Sequence, residues 1–457
     1  MLFYTLKILR WSILSCAVLL AIWVVGGNWL ADRQAKEIEE AIAQLQARYP
    51  NRDTNDSALK LQALTARLGL FPVAIDTRTS AYFKAYPPFT PSEEESREWK
   101  NIRSELERYL NEQLFQNKET IEPPPESLQR YLQNNARDLE AIQNHILSHE
   151  PPQWYQNITL WLEDDRRVLS STFLGLITLQ HIFALDMLEK ERSGNTEAAW
   201  KTLEASWKLN TSLESRYNLL SPLSTIIAGK YQLGVMRKLD RLPSQWQKRL
   251  GERDIQKSMF EALETKHLYD ILRIANYHSV LYDEGGDASE PLLLKVLRYL
   301  DVFSKPYFTF AAMDVWQFYQ QSLLQTEQQN ICFEKGAHEF TIARWNIPGW
   351  IYTAILYSQL SKVKVYMLDI ELTQQILKVK ELARQRGEWP ESVSDLDSDI
   401  CPGAAWIYQV SDEGEMSLAL SHPEIFQKQR QREAARGRTI SKLPLEYQTR
   451  KISQFKK

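Results

Sequence analysis

The chain has 457 residues, of which 44% are hydrophobic and 25% charged, an ordinary globular balance with enough apolar residues for a sizeable core. Its formal net charge of −3 is too small to indicate a polyanionic partner, and we expect no nucleic-acid binding. Only 16 residues are glycine, and few glycines mean few tight turns, which favours helices over short strands.

The first predicted element is a membrane-spanning helix. Trp11 to Leu30 contains no charged side chain, and its twenty residues are long enough for a hydrocarbon core about 30 Å thick. Lys7 and Arg10 precede it, and acidic residues from Asp32 to Glu40 follow it, partly balanced by Arg33 and Lys36. The positive-inside rule therefore predicts a cytoplasmic N-terminus and a body outside the cytosol.

A cleaved signal peptide is the alternative interpretation of this segment, and Val25-Gly26-Gly27 offers an acceptable cleavage site. The apolar run is long for a signal peptide, which favours an uncleaved anchor in residues 1–30. Both alternatives place the rest of the chain outside the cytosol. We thus expect a single-pass protein of the inner (plasma) membrane.

Helical spacing continues beyond the anchor, where Ile38, Ile42 and Leu45 form an apolar stripe that Pro50 ends. Residues 31–91 are predicted to be juxtamembrane helices and a proline-rich connection. Residues 92–386 are predicted to form a helical body. No repeat recurs, so the body is either an α-solenoid or an irregular multi-helix bundle, and the fold class is mainly α.

The chain changes character after the last predicted helix. Residues 387–422 are predicted to form a loop and a small β-hairpin, with strands Trp406–Val410 and Met416–Leu420. Residues 423–457 contain ten Lys or Arg against three Glu, a net charge of +7. Such a basic tail is typical either of contact with anionic lipid or of a solvated, partly disordered segment.

A helix, a G-x-W-P turn and a "DL" pair precede this hairpin: Glu381-Leu382-Ala383-Arg384-Gln385-Arg386-Gly387-Glu388-Trp389-Pro390-Glu391-Ser392-Val393-Ser394-Asp395-Leu396. These roughly 40 C-terminal residues resemble the same region of membrane-anchored helical envelope proteins of bacteria and of type II secretion pseudopilins. The resemblance implies a cell-envelope protein. The chain lacks the pseudopilin processing glycine, the glutamate that follows it and the calcium-binding ending, so no functional residue is transferred.

Two groups of residues have the composition of a metal site. His145 and His149 are four residues apart on a predicted helix, the spacing of a two-histidine site, although surface histidines share this pattern. Asp283 and Asp287 flank two glycines in an acidic loop that suits a hard cation or is simply solvated. Surface histidines and a solvated loop are the favoured interpretations of these two groups, and we expect no cofactor.

The cysteines and tryptophans leave alternatives open. Cys332 and Cys401 form either a disulfide, if the body lies outside the cytosol, or two buried free thiols. The tryptophans at 154, 161, 200 and 207 line a groove or, as their spacing favours, fill a core.

The sequence contains no G-x-S-x-G, P-loop or G-x-G-x-x-G motif, and catalytic residues are not predicted. We therefore expect an extracytoplasmic helical scaffold or protein-interaction module that contacts the membrane and other envelope proteins. Two alternatives remain: an anchored envelope hydrolase with a dispersed active site, and an accessory component of a secretion or pilus-like machine.

Overall fold

The computed structural model describes residues 2–70, 91–115, 119–162, 173–214, 218–275, 301–328, 342–347, 349, 356–422 and 446–449. Within these ranges the protein is mainly α-helical, as the sequence predicts. The helices are α1 Leu2–Arg48, α2 Asp56–Ala66, α3 Glu93–Leu114, α4 Glu126–Asn134, α5 Ala136–Ser148, α6 Ile158–Leu162, α7 Leu174–Arg192, α8 Thr196–Thr211, α9 Leu220–Lys238, α10 Gln245–Gly251, α11 Ile255–Ala275, α12 Asp301–Gln328 and α13 Leu356–Arg386. The strands are β1 Trp406–Val410, β2 Met416–Leu420 and β3 Glu446–Gln448.

Helix α1 is continuous across the end of the predicted anchor and is long and apolar enough to cross a membrane. Its described side chains before Val24 are exposed. From Val24 onwards, one seam turns inward at intervals of three or four residues, and its fully buried members are Gly27, Ala31, Ile38, Leu45 and Tyr49. The predicted stripe at Ile38 and Leu45 is thus confirmed, and it packs on α11 and α12.

The helical body is a bundle built around one large hydrophobic core, to which almost every helix contributes. Helices α7 and α8 form a hairpin whose turn needs Gly194, with φ at +80°. Helix α9 then packs against α3, α7, α8, α11 and α13. Because non-neighbouring helices share a core, the body is an irregular bundle, whereas in a solenoid each unit contacts only its neighbours.

Helix α13 joins this core to a smaller one, because it is apolar on two faces. Val363, Tyr366 and Ile370 face the bundle. The opposite face packs on the sheet through residues three or four apart, namely Val365, Leu368, Leu372, Ile376, Val379 and Ala383. Gly387, with φ at +80°, ends the helix.

The sheet is antiparallel in the order β1-β2-β3. Strands β1 and β2 have the bounds predicted from the sequence. Strand β3 lies inside the segment predicted to be a basic tail, and its Tyr447 is buried in the small core. Tyr447 also donates a hydrogen bond from its hydroxyl to the carbonyl of Arg237 on α9, 2.5 Å away, which ties the sheet to the bundle.

Charged side chains are enclosed where α9, α13 and residues 119–120 meet. Arg237 pairs with Asp369 at 2.6 Å, and Lys380 pairs with Glu119, with all four side chains at most 3% exposed. Lys380 also donates to the carbonyls of Arg237 and Leu239, which lie at the end of α9 and have no partner in the helix. We call these four residues the sealed ion cluster.

Candidate functional site

A groove of about 580 Å³ opens beside α8. We call it the charged groove. Helix α8 supplies Glu204, Trp207, Lys208 and Thr211, and because Trp207 and Lys208 lie three or four residues from both Glu204 and Thr211, all four share one face. The full lining is Arg52, Pro151, Pro152, Gln153, Gln156, Glu204, Trp207, Lys208, Thr211, Ser212, Glu214, Arg249, Glu252 and Arg253.

The wall opposite α8 is an extended segment held by backbone pairing. Pro151 and Pro152 stop helix α5, since proline cannot supply the N–H that a continuing helix requires. Arg52 and Gln156 then exchange two backbone hydrogen bonds of 2.8 Å. Lys208 fixes α8 against the end of α5 by donating to the carbonyl of His149 at 2.7 Å.

Arg253 lies at the floor of the charged groove, with its side chain only 3% exposed. Its Nε pairs with Glu214, its Nη1 donates to the Tyr366 hydroxyl at 3.3 Å, and its guanidinium lies over the Trp207 ring at 4.7 Å. Its Nη2 has no hydrogen-bond partner. Burial raises the pKa of Tyr366 to about 12, so this hydroxyl stays neutral and accepts a hydrogen bond from the Arg253 guanidinium.

A second arginine repeats the arrangement nearer the surface. Arg249 pairs with Glu204 and lies over the Trp246 ring at 4.8 Å. Trp246 in turn meets Trp207 edge to face at 5.3 Å. The two rings are thus held by packing and by two cations, and Trp207 supplies an apolar surface in the groove lining.

Gln156 adds another buried donor to the same lining, because its Nε2 atom also lacks a partner. An unsatisfied buried donor costs on the order of 1–3 kcal/mol. Arg253 and Gln156 each hold such a donor just behind the surface of the groove lining.

The groove is better suited to binding than to covalent chemistry. The two hydroxyls in its lining donate to carbonyls of α8, from Thr211 to Trp207 at 3.0 Å and from Ser212 to Leu209 at 2.6 Å. Neither hydroxyl is held by a base, as a nucleophile requires. The lining contains no histidine or cysteine.

The two predicted histidines lie together but face protein atoms. His145 is buried, and its Nε2 lies 2.9 Å from the carbonyl of Ser57. Burial lowers the pKa of His145, which favours the neutral ring. His149 lies against it, with ring centroids 4.5 Å apart. Among the residues that the structure describes, no group of three or more His, Cys, Asp or Glu is placed to hold a metal.

The other predicted site residues are described only in part. Asp283, Asp287 and Cys332 lie outside the described residues. Cys401 is fully buried in the small core and is disulfide-bonded, whereas Cys16 is a free thiol. The pairing of Cys401 with Cys332 remains a prediction.

The four tryptophans have different environments. Trp154 is in the core, Trp161 stacks on Tyr269 and Trp200 donates to the carbonyl of Arg241. Trp207 packs against the core, as its spacing favours, and also lines the charged groove. Arg253, which lies over it, is forty-six residues away along the chain and has no recognisable spacing with it, so no sequence pattern indicated this site.

The chain matches no model of a protein family, no curated protein and no solved structure.

Proposed function

We propose that this protein is a membrane-anchored helical interaction module, and that its charged groove binds an extended acidic segment of a partner protein. Arg253 carries this proposal, because its guanidinium lies over the Trp207 ring in the lining of an open groove, among the cations Arg52, Lys208 and Arg249. A carboxylate offers two oxygens and makes strong, charge-assisted hydrogen bonds to arginine. A volume of about 580 Å³ is within the range of ligand sites in proteins.

The body is proposed to lie outside the cytosol, with α1 as an anchor in the inner membrane. Lys7 and Arg10 precede the apolar segment and Asp32 follows it, which supports this orientation. The disulfide at Cys401 supports it independently, since disulfides persist in oxidising compartments. An interaction module in this place would meet other envelope proteins.

Retention of the anchor has its own support. Trp23 and Gly27 lie at or before the acceptable cleavage site, and both contact α12, through Phe310 and Pro306 respectively. A removed signal peptide would have no packing role in the mature protein. These contacts favour a helix that stays attached to the body.

Photo-crosslinking in native membranes tests the groove. A photoreactive amino acid replaces Thr211, an exposed residue of the groove lining, in the full-length protein. The control carries it at Lys201, which is exposed on the same helix but is outside the groove. We expect a discrete adduct from Thr211 alone, and mass spectrometry should locate it beside an Asp or Glu of the partner.

A double substitution, Arg253→Met with Glu214→Met, removes the buried charge and its counter-charge together, so that neither is left alone. If its thermal unfolding is preserved, we expect the adduct to disappear. Equal adducts from Thr211 and Lys201, or an adduct that survives the double substitution, would contradict the proposal. The partner's identity would also test the alternative role in a secretion or pilus-like machine, and substrate turnover by the full-length protein would favour the anchored hydrolase.

A further inference from the structure

The apolar half of α1 contacts the body directly. Trp23 meets Phe310 of α12 edge to face, with ring centroids 5.9 Å apart. Gly27 lies against Pro306 so closely that a Cβ at this position would be 3.1 Å from the proline ring. Both α1 residues belong to the charge-free stretch that ends at Leu30. The body is therefore not suspended from a free tether.

These contacts fix the depth of α12 if α1 spans a bilayer. At 1.5 Å of rise per residue, Gly27 lies about 4.5 Å and Trp23 about 10 Å inside the outer end of the apolar stretch. The side chains of Pro306 and Phe310 therefore reach the outer part of the apolar stretch. The ion pair between Lys305 and Asp32, 2.8 Å long, lies at the boundary where the apolar stretch gives way to charge.

An exposed apolar surface adjoins this part of α12. Tyr307 donates from its hydroxyl to the carbonyl of Trp345 at 3.0 Å, and the two rings pack edge to face. Trp345 is 48% exposed and Ile347 is 69% exposed. Asn346 anchors this short segment by donating to the carbonyl of Ala311 at 2.8 Å, so the two exposed side chains are presented by a fixed backbone.

We propose that the start of α12 and residues 344–347 enter the lipid interface on the body's side of the membrane, with Trp345 and Ile347 in contact with lipid. The inference rests on the proposed membrane span. Tryptophan and tyrosine favour the interface because they pair an apolar ring with a polar group. Lys305 and the exposed Arg344 place cations beside them, where anionic headgroups lie.

Depth-dependent quenching tests this. The full-length protein is reconstituted in vesicles of phosphatidylcholine and phosphatidylglycerol in equal parts, with or without bromine on the acyl chains. A genetically encoded dansyl-type amino acid replaces Ile347, Ile407 or Ile22 in separate variants. Ile407 is an exposed isoleucine of strand β1, and Ile22 is an exposed residue of the apolar stretch. We expect several-fold stronger quenching at Ile347 than at Ile407.

The probe at Ile22 separates the two possible failures. Strong quenching at Ile22 with equal, weak quenching at Ile347 and Ile407 would overturn this inference and leave the span intact. Weak quenching at all three positions would overturn the span as well.

Neighbouring glycines provide a matched pair of variants. Gly27→Leu forces a side chain against Pro306, whereas a Cβ at Gly26 meets nothing within 4 Å. We expect Gly27→Leu to reduce the quenching at Ile347 several-fold and Gly26→Leu to leave it unchanged. Equal effects of the two substitutions would show that the contact of α1 with α12 does not hold these residues in lipid, and would overturn the inference.

Discussion

Arg237 and Arg253 are both buried arginines that pair with a carboxylate, but their surroundings differ. The partner of Arg237, Asp369, is itself 1% exposed, whereas the partner of Arg253, Glu214, is 24% exposed. Arg237 lies in the sealed ion cluster between α9, α13 and the sheet, whereas Arg253 borders the charged groove. The same side chain thus joins structural elements in one place and faces a ligand-sized opening in the other.

Asp369→Ala should have the largest effect on stability, because it leaves the Arg237 guanidinium buried without a counter-charge. We expect the free energy of unfolding to fall by about 3–5 kcal/mol. Urea unfolding of the full-length protein in micelles measures the change. The matched control is Glu381→Ala, which breaks the exposed pair with Arg384 and should cost no more than about 1 kcal/mol. Similar losses in the two variants would contradict the closed character of the cluster.

Gly229→Ala should affect the charged groove through Tyr366. A Cβ on Gly229 would overlap the Tyr366 hydroxyl, and this hydroxyl accepts a hydrogen bond from Arg253. Overpacking of a core typically costs about 1–3 kcal/mol, which urea unfolding would detect. Gly251→Ala is the control, because its Cβ meets only the flexible end of Gln374. A stable Gly229→Ala protein with normal crosslinking in the groove would disprove the link.

Glu214→Gln should lower the free energy of unfolding by about 1–2 kcal/mol, less than the loss of Asp369, because Arg253 keeps its contact with Tyr366.

Sulfate provides a second comparison of the two arginines. Added sulfate should stabilise Glu214→Gln more than Asp369→Asn, as measured by the shift in melting temperature, because Arg253 is in the groove lining and Arg237 is not. The Asp369→Asn protein controls for the general stabilising action of sulfate. Equal shifts would mean that Arg253 is as inaccessible as Arg237.

His267 is a third buried ionisable side chain, and unlike the two arginines it pairs with no carboxylate and does not line the charged groove. It is 3% exposed, both ring nitrogens lack partners, and burial lowers its pKa well below the ordinary 6.5. The unfolded chain therefore binds a proton that the native state does not, and stability falls as the pH drops through about 6.5. His267→Phe should retain on the order of 1 kcal/mol more stability between pH 7.5 and 5.5.

Unfolding curves at the two pH values test this, and identical losses in the two proteins would contradict it. The neighbouring Asp270 has its pKa raised by burial, which gives an effect of opposite sign, since acidification neutralises a buried charge. That contribution should be present in both proteins and should largely cancel from their difference.

Local patterns in the sequence predicted the helical class, the stripe on α1 and both strands of the hairpin. Each of these features produces a pattern of apolar and polar residues over a few neighbouring positions, and this pattern can be recognised in the sequence alone. Strand β3 was missed because it has only three residues and pairs with a strand more than twenty-five positions away. Helix α13 was predicted as a helix, but the sequence did not show that its second apolar face packs against the sheet.

The charged groove escaped prediction for a similar reason. Its walls come from residues 151–156, from α8 and from the segment around Arg253, and each piece alone resembles a solvated helix face or a loop. Only the fold sets Arg253 over Trp207 and leaves one of its donors unpaired. The histidine pair shows the converse, because helical spacing brought His145 and His149 together while Ser57, far away in sequence, took up the ring nitrogen.

Helix α1 has no break between its exposed first half and the seam that holds the body. If its first half spans the bilayer, the helix is a rigid connection whose first half lies in lipid and whose second half packs along α11 and α12. Any tilt of the first half of α1 in the bilayer then turns the whole body by the same angle. The height of the charged groove above the lipid, and the direction in which it opens, are in that case set by the bilayer rather than by a flexible hinge.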